Sequence, residues 1–377
     1  MTALATAPVK APIPNTTRRD LPSLTGMRWA AALLVFGTHV RIFGYFGGEA
    51  AKTVQTALSP GSTGVSFFFI LSGFVLAWTA RQRDTAPAFW RRRLARIYPL
   101  HLATIAVALV LAWTILPAAR PSFLTFLANL FLVQSWSADH AVYQSLNTVS
   151  WSLACEAFFY ALFPALLWGL RKFAVRGTAV IAALCIAVVI ALPILFGESS
   201  VSAPLDFLPL ARLPEFLLGM ALGRLLAMRP DRGPGALPAL AVLVAGYFLT
   251  DNVPHQYRYA ACTVVGFAML IYAGASADLR ERLSLWRHPA MVRLGEISYA
   301  FYMVHLLVMR CAECVVGPQP QLDPVPATVL SITAFGLALA AAWAFHTFVE
   351  IPGQQIVLGR RKLRWPRQAV ARRELAR

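Results

Sequence analysis

Long apolar runs recur along the chain, separated by short polar loops, until residue 348. One of them, "TAVIAALCIAVVIALPILF" (178–196), is long enough to cross a hydrocarbon core, which takes about 20 apolar residues. The pattern predicts ten spans, at 27–46, 62–80, 98–116, 151–170, 178–197, 206–227, 236–250, 260–275, 296–316 and 327–348. Runs of this length are too long for barrel strands, and backbone in lipid must satisfy its own hydrogen bonds. The expected fold is therefore an all-α polytopic membrane protein of about ten transmembrane helices. An eleventh apolar stretch, "PSFLTFLANLFLVQSW" (121–136), is short, and whether it crosses decides the sidedness of every loop after it.

The basic residues settle that question. Arginines crowd the loops at 81–96, 171–177, 229–232 and 280–293 and the tail after Pro352, whereas the intervening loops hold little beyond Lys52, Arg120 and Arg258. Loops rich in Lys and Arg stay in the cytoplasm. All of them share one face only if 121–136 is a re-entrant or interfacial helix, which also puts both termini in the cytoplasm. The expected organisation is a polar tail at 1–20, a membrane domain at 21–352 and a basic tail at 353–377, the last lying on anionic lipid. No apolar core leads to a cleavage site in residues 1–20, so no signal peptide is expected there, and the first span is expected to serve as its own uncleaved signal.

Composition agrees: of 377 residues 58% are hydrophobic and 14% charged, whereas soluble chains carry roughly a quarter charged residues. The net charge of +17 is spread over alternate loops rather than along a stripe, which argues against a nucleic-acid partner. Five cysteines lie mostly within spans, and the Cys311/Cys314 pair has no second pair or nearby histidine to complete a metal site, so no metal is expected.

Polar groups inside the spans carry the chemistry. In "LTGMRWAAALLVFGTHV" (24–40), Arg28 and His39 are eleven residues apart, about 20° from three whole turns and roughly 16 Å along the axis. Both are thus expected on one helix face, the arginine at the cytoplasmic edge and the ring near mid-bilayer. Ionisable groups at that depth are functional by default. An imidazole that accepts and returns a proton near neutral pH suits transfer to a hydroxyl. In "FWRRRLARIYPLHL" (89–102), Arg92, Arg93 and Arg96 fall within about one helical turn at the cytoplasmic mouth, where guanidinium forks suit the phosphates of an acyl-coenzyme A. "NTVSWSLACEAFFYALFP" (147–164) enters from the outside with Ser150 or Ser152 as cap, Trp151 at the interface and Glu156 below it, with His39 or Arg41 as its expected partner. "GVSFFFILSGFVLAW" (64–78) is broken by Ser72 and Gly73, for close packing or for a ligand. "GEISYAFYMVHLLV" (295–308) places Tyr302 and His305 on one face, at the same cavity or as interhelical hydrogen bonds. Glu350, in "HTFVEIP", is expected near the cytoplasmic surface, and Arg212 and Glu215 are expected to neutralise each other within one helix.

Taken in order, "LTGMRWAAALLVFGTH", "GVSFFFILSGF", "RRRLARIYPL", "VSWSLACEAFFYALFP", "RLPEFLLGM", "LGEISYAFYMVH" and "FVEIP" resemble the acyltransferase-3 family of bacterial integral membrane O-acyltransferases. The resemblance implies transfer of an acyl group, commonly acetyl, from cytoplasmic acyl-coenzyme A to a hydroxyl of a sugar, cell-envelope glycan or glycosylated small molecule. It implies that Arg28 and His39 are essential, and it maps a basic pair onto Arg93 and Arg96 and a Trp–Ser–Leu-to-Glu motif onto Trp151, Ser152 and Glu156. The donor is expected against Arg28, Arg93, Arg96 and Ser72. His39 is the expected base or acyl carrier with Glu156 beside it, and Trp151, Ser152, Tyr302 and His305 are expected at the acceptor. Cys155 departs from the family, which more often has a polar neighbour beside the glutamate. The hydrolase-like domain of some members has no counterpart after Pro352, which extends the expected acceptors to a glycosylated small molecule. A homo-oligomer is compatible with this reading. The alternative is a proton-coupled transporter using His39 and Glu156 as a relay, against which the lack of an internal repeat counts.

Overall fold

The computed structural model describes residues 20–81, 84–196, 205–230, 233–254, 257 and 260–359. Of the expected tails at 1–20 and 353–377, residues 1–19 and 360–377 lie outside the described residues, and the second tail begins within a helix that runs to Val357. All ten expected segments are helical. In chain order the helices are α1 (Pro22–Ile42), α2 (Gly48–Leu58), α3 (Gly64–Thr79), α4 (Ala86–Thr114), α5 (Phe123–Leu130), α6 (His140–Tyr143), α7 (Trp151–Leu170) and α8 (Val175–Phe196). There follow α9 (Pro209–Met228), α10 (Ala236–Leu249), α11 (Val264–Leu279), α12 (Pro289–Val316), α13 (Pro324–Phe345) and α14 (Ile351–Val357). Six helical stretches among the described residues are long and apolar enough to cross a membrane.

Apolar side chains turned outward mark the lipid-facing surface. Leu184 on α8, Trp113 on α4 and Ile332 on α13 are each more than half exposed. A soluble protein rarely leaves so much contiguous apolar surface uncovered. The 121–136 segment supplies α5, whose eight residues rise only about 12 Å. Ser122 caps it by accepting from the Thr125 amide, and Asn129 ties it to Ser145 and to its own turn. Tyr98 Oη donates to the Leu130 carbonyl and the His101 ring meets the Asn129 carbonyl, so α4 holds the short helix in place.

Two close helix contacts organise the interior. Gly219 and Gly223, four residues apart on α9, lie against α3, and Gly73 of α3 lies against α9. A β-carbon on Gly73 would fall inside the Phe216 carbonyl oxygen, and one on Gly219 inside that of Ile70. Small residues at this spacing let membrane helices approach backbone to backbone. The second contact joins α1 to α12, where Gly295 meets the Thr25 carbonyl. The first turn of α1 has no cap of its own. Asp278 of α11 takes that role, accepting from the Ser23 amide at 2.8 Å and from Ser23 Oγ at 2.7 Å. A carboxylate at a helix N-terminus satisfies free amides and faces the positive end of the dipole. Arg212 and Glu215 of α9 are buried and paired at 3.2 Å, as their spacing implied, and Arg212 also donates to Ser66 of α3.

At the far end of α1 the loop 43–47 pairs with the loop after α12. Gly47 N donates to the Leu322 carbonyl, while Gln321 N and Leu322 N donate to the carbonyls of Gly44 and Tyr45. α1 is therefore pinned at both ends, which fixes the depth of every side chain along it.

Gly73→Ala forces backbone apart where α3 and α9 touch, and overpacking of this kind costs about 1–3 kcal/mol. The expected outcome is a fall of several degrees in the melting temperature of the detergent-purified protein, read by a thermal-shift assay beside Gly336→Ala, where a β-carbon meets nothing. Equal melting of the two variants would contradict the packing argument.

Candidate active site

The interior holds a cavity that, counted with the open space at its mouth, encloses roughly 930 Å³. Three arginines line it: Arg28 from α1, and Arg93 and Arg96 from α4. Ser72 of α3 and Ser152 and Glu156 of α7 also line it, as do Tyr160 and the α12 residues Tyr299, Tyr302 and Met303. The helix wheel separates the α4 arginines. Arg92 turns away to an ion pair with Asp84, while Arg93 and Arg96 share the inward face. Three residues along a helix bring side chains together; one residue turns them about 100° apart.

The charges inside are unevenly matched. Arg96 is paired with Glu350, which is buried in a π-helical turn (His346–Glu350) and also accepts from His346 Nδ1 at 2.8 Å. Among the described residues neither Arg28 nor Arg93 makes an ion pair at hydrogen-bonding distance, and Arg93 Nε is buried without a partner. The Arg93 guanidinium instead lies over the Phe89 ring, 5.8 Å from its centroid. The one carboxylate among the lining residues is Glu156, whose Oε2 accepts from Tyr160 Oη at 2.6 Å. Because that phenol spends its single proton on Glu156, the hydroxyl of Ser72, 3.3 Å away, donates to Tyr160 Oη. A chain Ser72–Tyr160–Glu156 thus runs along one wall.

The other end of the cavity closes on Ser152 and Tyr302, whose hydroxyls are 2.8 Å apart and both lie within reach of the Val149 carbonyl. Trp151 does not line the cavity; it packs edge-on against Phe69 and Phe207 in the core. His39 and His305 do not line it either. The His305 ring lies 5.9 Å from that of Tyr302, and its Nε2 is 3.1 Å from His39 Nδ1. His39 Nδ1 is also 2.9 Å from the Val35 carbonyl. The track expected along α1 from Arg28 to His39 is therefore interrupted. Arg28 opens on the cavity, and His39 stands behind the Tyr302–His305 layer.

Glu156 has Tyr160 as its hydrogen-bond partner, not His39 or Arg41, and Arg41 Nη1 donates to Gln55. Sequence reading also passed over Tyr160, Tyr299 and the inward role of Glu350. Tyr160 was signalled by its i+4 spacing from Glu156 and Tyr299 by its i−3 spacing from Tyr302, faces that a helix brings together. Glu350 left no such signal, because its inward position is set by the His346–Glu350 turn and α14 packing back on α4.

The profile of the acyltransferase-3 family, described as an acyltransferase domain, matches residues 21–347. This chain belongs to that family. The acyltransferase is 38% identical over 362 residues to acyltransferase MdmB of Streptomyces mycarofaciens, an alignment covering 91% of this chain and 93% of that protein. It is 25% identical over 374 residues to O-acetyltransferase OatA of Staphylococcus aureus, covering 89% of this chain and 57% of the relative. With peptidoglycan O-acetyltransferase OatA of Listeria monocytogenes it shares 22% over 320 residues, 77% of this chain and 49% of the relative. It thus spans about half the length of the OatA proteins. No solved structure matches. The acyltransferase has the helices of a multi-pass membrane protein, and its arginine-lined cavity is the candidate for the reaction centre.

The two faces of α4 give a test. Arg93→Ala removes the guanidinium that an anionic substrate in the cavity would meet, a charge-assisted hydrogen bond being worth about 1.5–3 kcal/mol, and is expected to lower acyl transfer roughly tenfold or more. Arg92→Ala breaks a half-exposed pair and is expected to stay within about twofold. Initial rates in isolated membranes distinguish them, and equal losses would mean that the cavity is not where the substrate binds.

Proposed function

We propose that this acyltransferase is an O-acyltransferase of the bacterial inner membrane. It takes an acyl group, acetyl foremost, from cytoplasmic acyl-coenzyme A and esterifies a hydroxyl of a sugar, a cell-envelope glycan or a glycosylated small molecule. The observation that carries this reading is the excess of guanidinium groups over carboxylates around one cavity, with Arg28 and Arg93 making no ion pair at hydrogen-bonding distance among the described residues. A buried cation without a counter-ion is expensive unless an anion arrives to complete it. A polyphosphate does so, and arginine forks match its oxygens bidentately. The named O-acetyltransferase relatives favour acetyl as the group and oxygen as the acceptor atom. The positive-inside pattern favours ten crossings, with both termini and the arginine mouth on the cytoplasmic side.

On this reading the donor's phosphates sit against Arg28, Arg93 and Arg96 beside Ser72, and the thioester reaches toward Ser152 and Tyr302. The acceptor comes to His39 from the other side of the Tyr302 layer. His39 takes the hydroxyl proton, the oxygen attacks the thioester carbonyl, the carbon–sulfur bond breaks, and the proton returns to the departing thiolate. Glu156, held by Tyr160, keeps the arginines from repelling one another before the donor arrives.

His39→Ala removes the base, and general-base catalysis contributes about 10²–10⁴-fold. In proteoliposomes loaded with labelled acetyl-coenzyme A and supplied with a glycosylated acceptor, the variant is expected to lose at least two orders of magnitude in product formation. Product identity is read as the mass gain of one acetyl group. Undiminished turnover would refute the mechanism, and accumulation of unmodified substrate driven by a proton gradient would instead support a transporter.

A further inference from the structure

We propose that His305 is the positioning residue of the reaction: it holds His39 as the tautomer whose Nε2 is the free base, and it shares the charge when that base is protonated. This rests on the role proposed above for His39. Hydrogen-bond partners fix the protons on the four ring nitrogens. His305 Nδ1 lies 2.7 Å from the Tyr302 carbonyl and 3.1 Å from that of Phe301. Carbonyl oxygens only accept, so this nitrogen carries the proton, and a neutral ring then leaves Nε2 as an acceptor. That acceptor faces His39 Nδ1 at 3.1 Å. His39 Nδ1 also faces the Val35 carbonyl at 2.9 Å, so it too must be the protonated nitrogen. One N–H divided between Val35 and His305 leaves a single lone pair on the His39 ring, at Nε2.

The packing keeps both rings in that register. The His305 ring lies nearly parallel to Phe301, at 13° and 5.8 Å between centroids, and edge-on to Phe36 at 6.2 Å. His305 is fully buried, and α12 locks against α1 through Gly295. The charged groups that act on the His39 ring are Arg41 on its own helix and Arg310 on α12, both cationic. Among the described residues no carboxylate hydrogen-bonds to either imidazole, so the positive ring formed in the reaction is answered by a neutral acceptor. The arrangement has the logic of a base oriented by a third group, with an imidazole where a hydrolase triad uses a carboxylate. When His39 Nε2 takes the acceptor's proton, its Nδ1–H strengthens toward His305 Nε2. The proton leaves again from Nε2 to the coenzyme thiolate, and His305 gains and loses none.

Two variants and one spectrum test this. His305→Leu removes the acceptor, whereas His305→Gln puts an amide oxygen near the place of Nε2. The Leu variant is expected to lose about 10²-fold in kcat with KM for acetyl-coenzyme A changed by less than about threefold, and the Gln variant to recover at least about tenfold of that loss. A structural role predicts instead a shared fall in folded yield and coenzyme A binding, with no rescue by Gln; equal activity of Leu, Gln and native protein would likewise overturn the proposal. If the Leu variant does not fold, ¹⁵N-histidine magic-angle-spinning spectra of the native protein in bilayers, assigned by His39→Gln, still decide. They are expected to show His39 as the Nδ1–H tautomer, and an Nε2–H tautomer would sink the inference. Failure here leaves His39→Ala inactive; an active His39→Ala would mean that the parent reading has failed.

Discussion

Everything in this fold answers to one constraint: three guanidinium groups have been gathered at one cavity inside a membrane domain, each of them only partly exposed. Arg28, Arg93 and Arg96 line one cavity, and two carboxylates, Glu156 and Glu350, stand near enough to act on Arg28. Like charges gathered in a poorly solvated site repel one another, and an uncompensated buried charge is among the most destabilising features a protein can hold. The surrounding structure is arranged to contain that. Glu350 is pulled inward by a π-helical turn and pairs with Arg96, and His346 supports it from the same turn. Glu156 is aimed by Tyr160, which is itself steadied by Ser72. Arg93 rests on an aromatic face, an interaction that tolerates a cation without neutralising it. What is left is a site one anion short, the condition in which a polyphosphate ligand gains most.

Such a site needs rigid walls, because a cation free to swing toward the membrane surface would do so. The rigidity comes from backbone-to-backbone contacts. Gly73, Gly219 and Gly223 bring α3 and α9 together, which fixes Ser72 on the wall of the cavity one residue from the contact. Gly295 does the same for α1 and α12, and Asp278 anchors the first turn of α1 one and a half turns before Arg28. Ser72 and Gly73, adjacent in sequence, therefore serve the two purposes that composition alone left undecided: glycine for approach, serine for the site.

Hydropathy made the helices legible, because crossing segments are selected for length and apolarity whatever they surround. The same pattern marked 121–136 as short, and the helix α5 within it is eight residues long. The cavity was legible in part. Arg28, Arg93, Arg96, Ser72, Ser152, Glu156 and Tyr302 were singled out from their sequences, and the structure brings these seven to one lining. Partnerships were not legible. Which of Arg92 and Arg93 points inward depends on how α4 is rotated, and that rotation is set by neighbours distant in sequence. Glu156 turns to a tyrosine one helical turn away rather than to a histidine on another helix, and no periodicity distinguishes those outcomes. Trp151, beside two cavity residues, faces the core because successive residues on a helix diverge by about 100°.

On the reading proposed above, the interruption between Arg28 and His39 has a chemical reason of its own. A thioester held beside a free base and open to water is hydrolysed, so an enzyme of this kind profits from keeping the two apart until an acceptor fills the space between them. Tyr302 is placed to make that division. Its hydroxyl ends the cavity with Ser152, its ring lies against Phe68 and His305, and its main-chain carbonyl holds the His305 ring through Nδ1. One residue therefore touches the donor compartment through its side chain and the histidine pair through its backbone. Any shift of α12 that opened the cavity toward His39 would also move the carbonyl that orients His305, so access and alignment of the base are governed by the same helix.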